Sequence, residues 1–209
     1  MTERVAGPEG LRFYPGFLDR ARQAALMAQV DAVLAAAPAY RPAMPGSGKP
    51  FSILMANAGP LGWISDKAGY RYQAHHPVTL APWPPIPPLG LEIWEALADY
   101  AAPPECCLIN LYEPPRARMG LHRDADEEAE DAPVVSISLG DRALFRIGGA
   151  ARRDPTRSFK LDSGDVIVLG GDARHSYHGI DRVDFGTSTL RDLPGRINLT
   201  LRRVTRPGS

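Results

Sequence analysis

Cysteine is nearly missing from this chain. Only two occur in 209 residues, and they are adjacent, Cys106 and Cys107. Vicinal cysteines make poor disulfide partners, and two of them build no framework. A disulfide-stapled secreted scaffold is therefore not expected, and a reducing cytoplasm is. Long apolar runs are missing as well. No stretch approaches the ~20 residues that a membrane-spanning helix needs, so no membrane partner is expected. The opening MTERVAGPEG is charged and bears Gly and Pro, without the apolar core of a secretory signal. Excess charge of either sign is absent: 24 Lys and Arg balance 24 Asp and Glu. That balance excludes a generally basic nucleic-acid binder but leaves room for a local basic groove. Internal repeats are lacking too.

What is present suits one domain with a real core, since 44% of residues are apolar. Residues 17–37 place Leu18, Ala25, Leu26, Val30, Val33 and Leu34 at helical spacing, and Pro38 stops the run. The stretch FSILMANAGPLGWISDKAGYRYQ alternates and carries turn signals, which predicts a β-hairpin region. APWPPIPPLG reads as a stiff connector without regular structure, and LEIWEALADYAA as a second helix ended by Pro103 and Pro104. From Cys106 the pattern changes to short strands: CCLINLYEP, PVVSISLG, RALFRIGG, RSFKLD, DVIVLGG and RINLTLRRV. Six short strands in about a hundred residues, with no helical interruption, point to a sandwich or jelly roll. The fold class is mainly β with flanking helices (α+β). Residues 1–105 supply helices and hairpin, and 106–209 the β core, within one domain.

The chain has five histidines. In LHRDADEEAED, His122 and Asp124 can both face one metal if Arg123 points away, as at a strand end. Two histidines and one carboxylate on one side of Fe(II) leave positions open for oxygen and substrate. The third ligand would come from DARHSYHGI, which offers His175 or His178. RINLTLRR alternates strictly, placing Arg196, Asn198, Thr200 and Arg202 on one face and Ile197, Leu199 and Leu201 on the other. Either the strand is two-sided with its arginines in water, or they face a barrel interior and need an anion, for which a dicarboxylic acid fits their planar forks.

Together these residues resemble the AlkB family of Fe(II)- and 2-oxoglutarate-dependent dioxygenases, closest to its bacterial DNA-repair branch. The matching pieces are NLY (Asn110 to Tyr112), HRD (His122 to Asp124), YHGI (Tyr177 to Ile180) and RINLTLR (Arg196 to Arg202). The likeness runs from about Cys106 to Arg203 and back through LGWISDKAGYRY. It implies a double-stranded β-helix, a form of jelly roll, with a nucleotide-recognition lid. It implies His122, Asp124 and His178 as iron ligands, which selects His178 over His175. Asn110 and Tyr112 would hydrogen-bond 2-oxoglutarate. Arg196 would pair with its distal carboxylate, Arg202 would lie at the metal end, and Asn198 and Thr200 would line the same face. The implied chemistry consumes O₂ and 2-oxoglutarate, releases succinate and CO₂, and removes an N-methyl group as formaldehyde. The substrate would be 1-methyladenine or 3-methylcytosine in DNA, single-stranded or with the base flipped out, with RNA left open.

For the substrate side, the resemblance implies that Trp63 stacks on the flipped base opposite His122. Tyr70, Arg71 and Tyr72 would contact the lesion strand, and Met55 would line the pocket. A carboxylate near the base favours a cationic lesion, which is the role implied for Asp126 with help from Glu127. Glu128, Glu130 and Asp131 read as solvated loop residues. Arg152 is a further pocket candidate, and Arg152, Arg153, Arg157 and Lys160 with Lys67 and Arg71 read either as a local phosphate groove or as a solvated, charge-balanced surface. Arg123 adds positive charge at the mouth. Nothing demands a partner subunit, so a monomer is expected. Two other readings stay open. One is a 2-oxoglutarate oxygenase acting on protein or small molecules. The other is a non-catalytic, cupin-like binding module.

Overall fold

The computed structural model describes residues 7–208. The opening segment MTERVA lies outside them. Three strands and a helix precede the hairpin's return: β1 (Leu11–Tyr14), α1 (Arg20–Ala36), β2 (Leu54–Ala58) and β3 (Gly62–Asp66). Next come β4 (Gly69–Gln73), α2 (Pro88–Leu97), β5 (Cys106–Tyr112) and β6 (Met119–His122). The rest comprises β7 (Val134–Gly140), β8 (Arg142–Ile147), β9 (Arg157–Leu161), β10 (Val166–Leu169), the one-turn helix α3 (Gly171–Arg174), β11 (His178–Asp184) and β12 (Arg196–Arg202).

The expected jelly roll forms from two antiparallel sheets. The major sheet runs β1-β10-β7-β12-β5-β2 and the minor sheet β6-β11-β8-β9, with β3 and β4 paired apart as a hairpin. Strands from both halves of the chain share the major sheet, since β1 pairs β10 and β2 pairs β5. Alternation decides which side chains go where. On β12, Ile197, Leu199 and Leu201 pack with α1 and α2 residues such as Leu26, Val30, Ile93 and Trp94. The intervening Arg196, Asn198, Thr200 and Arg202 turn to the space between the sheets. The second core, which contains Phe145, Leu161, Ile167 and Ile180, joins the two sheets there.

Helix α1 starts at Arg20 because the Asp19 carboxylate caps the backbone N–H of Arg22 at 2.8 Å. Helix α2 differs from expectation. It begins inside the proline run, at Pro88, where a missing N–H costs nothing, and it ends at Leu97 before Asp99 takes a positive φ of 52°. The connector before it is irregular but not bare, for it buries Trp83, whose indole N–H donates to the Gln73 carbonyl at 2.9 Å. Strands β1, β6 and β11 and helix α3 were not expected. Each strand is an edge, or is short, or carries charges on its outer side, so its apolar alternation is weak. Among the described residues, no helix is long and apolar enough to cross a membrane.

Candidate active site

The sequence places His122 at the end of β6 and His178 at the start of β11, and antiparallel pairing sets them directly opposite each other. Their ring centroids lie 4.5 Å apart. The pairing is close because residue 179 is glycine. A Cβ there would sit 2.6 Å from the Met119 carbonyl oxygen and 2.9 Å from that of Gly120. Asp124 follows two residues after His122, and its Oδ1 lies 3.7 Å from His122 Nε2 and its Oδ2 3.9 Å from His178 Nε2. One donor atom from each of the three fits within a 4.8 Å set, a size that one metal ion can bridge. His175, the rival candidate, is exposed at the end of α3.

Both imidazoles are oriented by the backbone. Nδ1–H of His122 donates to the Gly120 carbonyl at 3.0 Å, and that of His178 to the Ser176 carbonyl at 3.0 Å. Each Nε2 is thereby left as the lone-pair nitrogen facing Asp124. Burial pushes the His178 imidazole down to about 4, so at neutral pH it is an uncharged donor. Burial alone would raise the Asp124 carboxyl. Arg202, His178 and His122 outweigh it and hold that carboxyl below the usual carboxylate range. The other histidines do other work. His76 is buried, with Nδ1 accepting from Val78 and Thr79 N–H and Nε2 donating to the Pro38 carbonyl at 2.8 Å.

Behind the triad lies a cavity of about 500 Å³, lined in part by Asn110, Tyr112, Arg196, Asn198, Thr200 and Arg202. Arg196 is only 1% exposed. Its Nη2 donates to Ser138 Oγ at 3.1 Å, whereas Nε and Nη1 have no hydrogen-bond partner. Burial lowers its affinity for its proton. Asn110 Oδ1 is likewise buried and unpartnered. An enclosed guanidinium with two idle donors is costly unless an anion completes it, and its planar fork has the shape to take a carboxylate. Asn198 serves the wall itself: its Nδ2 donates to Ser136 Oγ at 2.8 Å and its Oδ1 accepts from Thr200 and Asn110. Arg202 already has an anion in the protein, because its Nη2 lies 2.9 Å from Asp124 Oδ2. Burial opposes its charge, but Asp124, Tyr72 and Glu127 more than offset that and raise its pKa.

These donor sets decide the family once the comparisons are added. Residues 10–202 match the 2OG-Fe(II) oxygenase superfamily. The alpha-ketoglutarate-dependent dioxygenase AlkB homolog of Caulobacter vibrioides is 53% identical over 200 residues, covering 93% of this chain and 88% of that protein. The chain belongs to the AlkB family of Fe(II)- and 2-oxoglutarate-dependent dioxygenases. The alpha-ketoglutarate-dependent dioxygenase AlkB of Escherichia coli is 38% identical over 183 residues, covering 86% of this chain and 83% of that one. The solved structure of OsALKBH1 superposes with a TM-score of 0.80 at 27% identity, covering 97% of this chain and all of that one. As in the AlkB family generally, the enzyme works with Fe(II), 2-oxoglutarate and O₂.

The β3-β4 hairpin, expected as the lid, borders the cavity. Trp63 and Tyr70 stack with ring centroids 5.4 Å apart and planes 23° from parallel, and Tyr70 is 45% exposed. Both line the cavity, together with the buried Met55 and the exposed Asp126, Arg152 and Arg123. The indole N–H of Trp63 donates to Asp126 Oδ2 at 2.8 Å. Trp63 is pinned from behind by the buried Asn57, which exchanges two 3.0 Å hydrogen bonds with its backbone. Arg152 donates to the Leu121 carbonyl at 2.7 Å.

Arg71 stays exposed on β4 and is bound to Asp66 by two hydrogen bonds of 3.1 and 2.7 Å, which offset its charge. Two other residues expected on the substrate side turn away from the cavity. Tyr72 turns its hydroxyl inward onto Glu127. Glu127 is buried away from the cavity lining, where Arg174 and Arg202 draw it in. The tail of the acidic run is exposed at Glu128, Glu130 and Asp131, though Asp131 accepts from Tyr100 at 3.3 Å. Sequence reading missed Arg174 and Asn57. Neither belongs to a local motif, and only the fold gives their side chains partners.

Proposed function

We propose that this dioxygenase removes N-methyl groups from 1-methyladenine and 3-methylcytosine in DNA, and so repairs alkylation damage in the cytoplasm. The observation that carries the reading is the Trp63–Asp126 hydrogen bond at the rim of the metal cavity. It joins a flat apolar face to a carboxylate, which are the two features a cationic methylated base needs. The indole occupies Oδ2, which leaves Oδ1 of Asp126 to accept from an exocyclic amino group.

The base enters alone, flipped from a single or opened strand, since a cavity of about 500 Å³ has room for one base beside 2-oxoglutarate. Trp63 and His122 flank it, Tyr70 extends the platform at the mouth, and Met55 closes the apolar side. Arg152 and Arg123 at the rim meet backbone phosphate. Arg196 and Asn110 hold the co-substrate, while His122, Asp124 and His178 hold the metal on one side and leave the other open. When bound, iron would activate O₂ with 2-oxoglutarate as the reductant, one oxygen atom passing to succinate as CO₂ leaves and the other to the N-methyl carbon, which departs as formaldehyde. The protein's share is orientation and desolvation. No second subunit is needed to complete the site, and the enzyme acts as a monomer.

The test is formaldehyde release from an oligonucleotide carrying 1-methyladenine, with Fe(II) and 2-oxoglutarate each omitted in turn. Release should need both. Succinate formation without any loss of methyl from DNA or RNA would instead favour a protein or small-molecule substrate. Asp126→Asn should reduce turnover of cationic lesions more than that of neutral ones such as 3-methylthymine, and equal losses would remove the charge argument.

A further inference from the structure

The acidic loop contains one carboxylate that faces neither solvent nor substrate. Glu127 directly follows Asp126, yet its side chain is 1% exposed. Both of its oxygens are committed. Oε2 accepts from Arg174 Nη2 at 2.9 Å. Oε1 accepts from the Tyr72 hydroxyl and lies 3.6 Å from Arg202 Nε.

Arg174 is equally enclosed and has three partners. Nε donates to the Ala132 carbonyl at 2.9 Å, Nη1 to the Asp124 carbonyl at 2.7 Å, and Nη2 to Glu127. Arg202, the other neighbour of Glu127, places Nη2 2.9 Å from Asp124 Oδ2. The metal ligand Asp124 is thus gripped twice, at its backbone by Arg174 and at its carboxylate by Arg202. Glu127 joins the same two arginines from their other side. A buried carboxylate between two buried guanidinium groups adds little net stability over an apolar core, so what it contributes here is the geometry it imposes on both.

The same carboxylate reaches the lid. Tyr72 stands opposite Trp63 in the β3-β4 register, and its hydroxyl also lies 3.4 Å from Arg202 Nη1. A path of direct contacts therefore runs from the lid through Tyr72 and Glu127 to Arg202 and Asp124.

We infer that Glu127 and Arg174 are positioning residues for the metal ligand Asp124, and that Tyr72 ties the lid hairpin to them. Glu127 makes no contact with the base. The inference needs only the metal site, and it holds whatever substrate the cavity takes.

The test is titration of the full-length apoprotein with Co(II) in the presence of 2-oxoglutarate, read by visible absorption or calorimetry rather than by turnover. Groups that orient a metal ligand change metal affinity by about 10–100-fold when lost. Glu127→Gln and Arg174→Gln should each weaken Co(II) by that amount, and Tyr72→Phe by less. Arg174→Lys, which keeps the charge but not the fork, should recover part of the loss. A base-contacting role predicts the opposite split, with Co(II) affinity unchanged and KM for a methylated oligonucleotide raised. A merely structural role would lower Tm and leave the Co(II) affinity of the folded protein unmoved. Either result for Glu127→Gln overturns the inference. If that variant does not fold, Tyr72→Phe decides, since it removes a single hydroxyl and keeps every buried charge. Weaker Co(II) binding upholds the path, and unchanged binding overturns it.

Discussion

His122 and His178 face each other across the β6-β11 pair, with ring centroids 4.5 Å apart. The metal site is therefore a property of strand register, and Gly179 is what lets the two strands approach. Gly179→Ala would drive a methyl group into two backbone carbonyls, which cannot swing aside as a side chain can. The expected cost is about 1–3 kcal/mol of stability, as for other overpacked sites. The variant should stay folded by circular dichroism but bind Co(II) more weakly, because β6 must move and take His122 with it. Unaltered metal affinity would show that the close approach is not what sets the site.

The choice between the two neighbouring histidines has a direct check. His178→Ala should abolish both metal binding and turnover. His175→Ala should keep both, because His175 is exposed and outside the donor set. The reverse pattern would refute the ligand assignment.

Arg196 should trade stability for co-substrate binding. Arg196→Met should raise the 2-oxoglutarate concentration for half-maximal turnover by roughly 100-fold, the lower end for two charge-assisted hydrogen bonds at about 1.5 kcal/mol each. The same change should make the apoprotein more stable, since it relieves two buried donors without partners. Tm should rise by about 2–4 °C for each kcal/mol relieved. Saturating 2-oxoglutarate should stabilise the wild type and no longer stabilise the variant. A differential scanning fluorimetry series with and without 2-oxoglutarate measures both effects.

The two cysteines should be chemically silent in the folded protein. Burial pushes the Cys106 thiol up to about 12 and raises that of Cys107 well above its ordinary value. Only thiolate reacts, so iodoacetamide at pH 8 should label neither residue until the chain is unfolded, when both should label. The linkage has a definite sign. The folded pKa is the higher one, so this contribution to stability is complete below the unfolded thiol range and is lost as pH rises towards 12.

Sequence alone carried a large part of this molecule, for identifiable reasons. The strict alternation of RINLTLR determined which side chains of β12 enter the cavity, because side-chain direction in a strand has period two. Apolar spacing and Pro38 located α1, and the HRD, YHGI and arginine motifs pointed to the ligand set, whereas the Asp19 cap that starts the helix at Arg20 is a feature of the folded chain. Strands β6 and β11 carry two of the ligands but leave little periodic signal, since β6 is a short edge strand and β11 carries Asp181, Arg182 and Asp184 on its outer part.

Tertiary structure decided the rest, because these matters depend on partners far away in the chain. Asp126 and Glu127 are adjacent acids with no local difference between them. Trp63 draws one to the cavity rim, while Arg174 and Arg202 draw the other inside. Arg196 and Arg202 share one strand face. Arg202 finds an anion in Asp124, whereas Arg196 keeps two donors idle for a ligand. Side-chain direction is local and can be read along the chain. The charge that each group meets is set only when the sheets close.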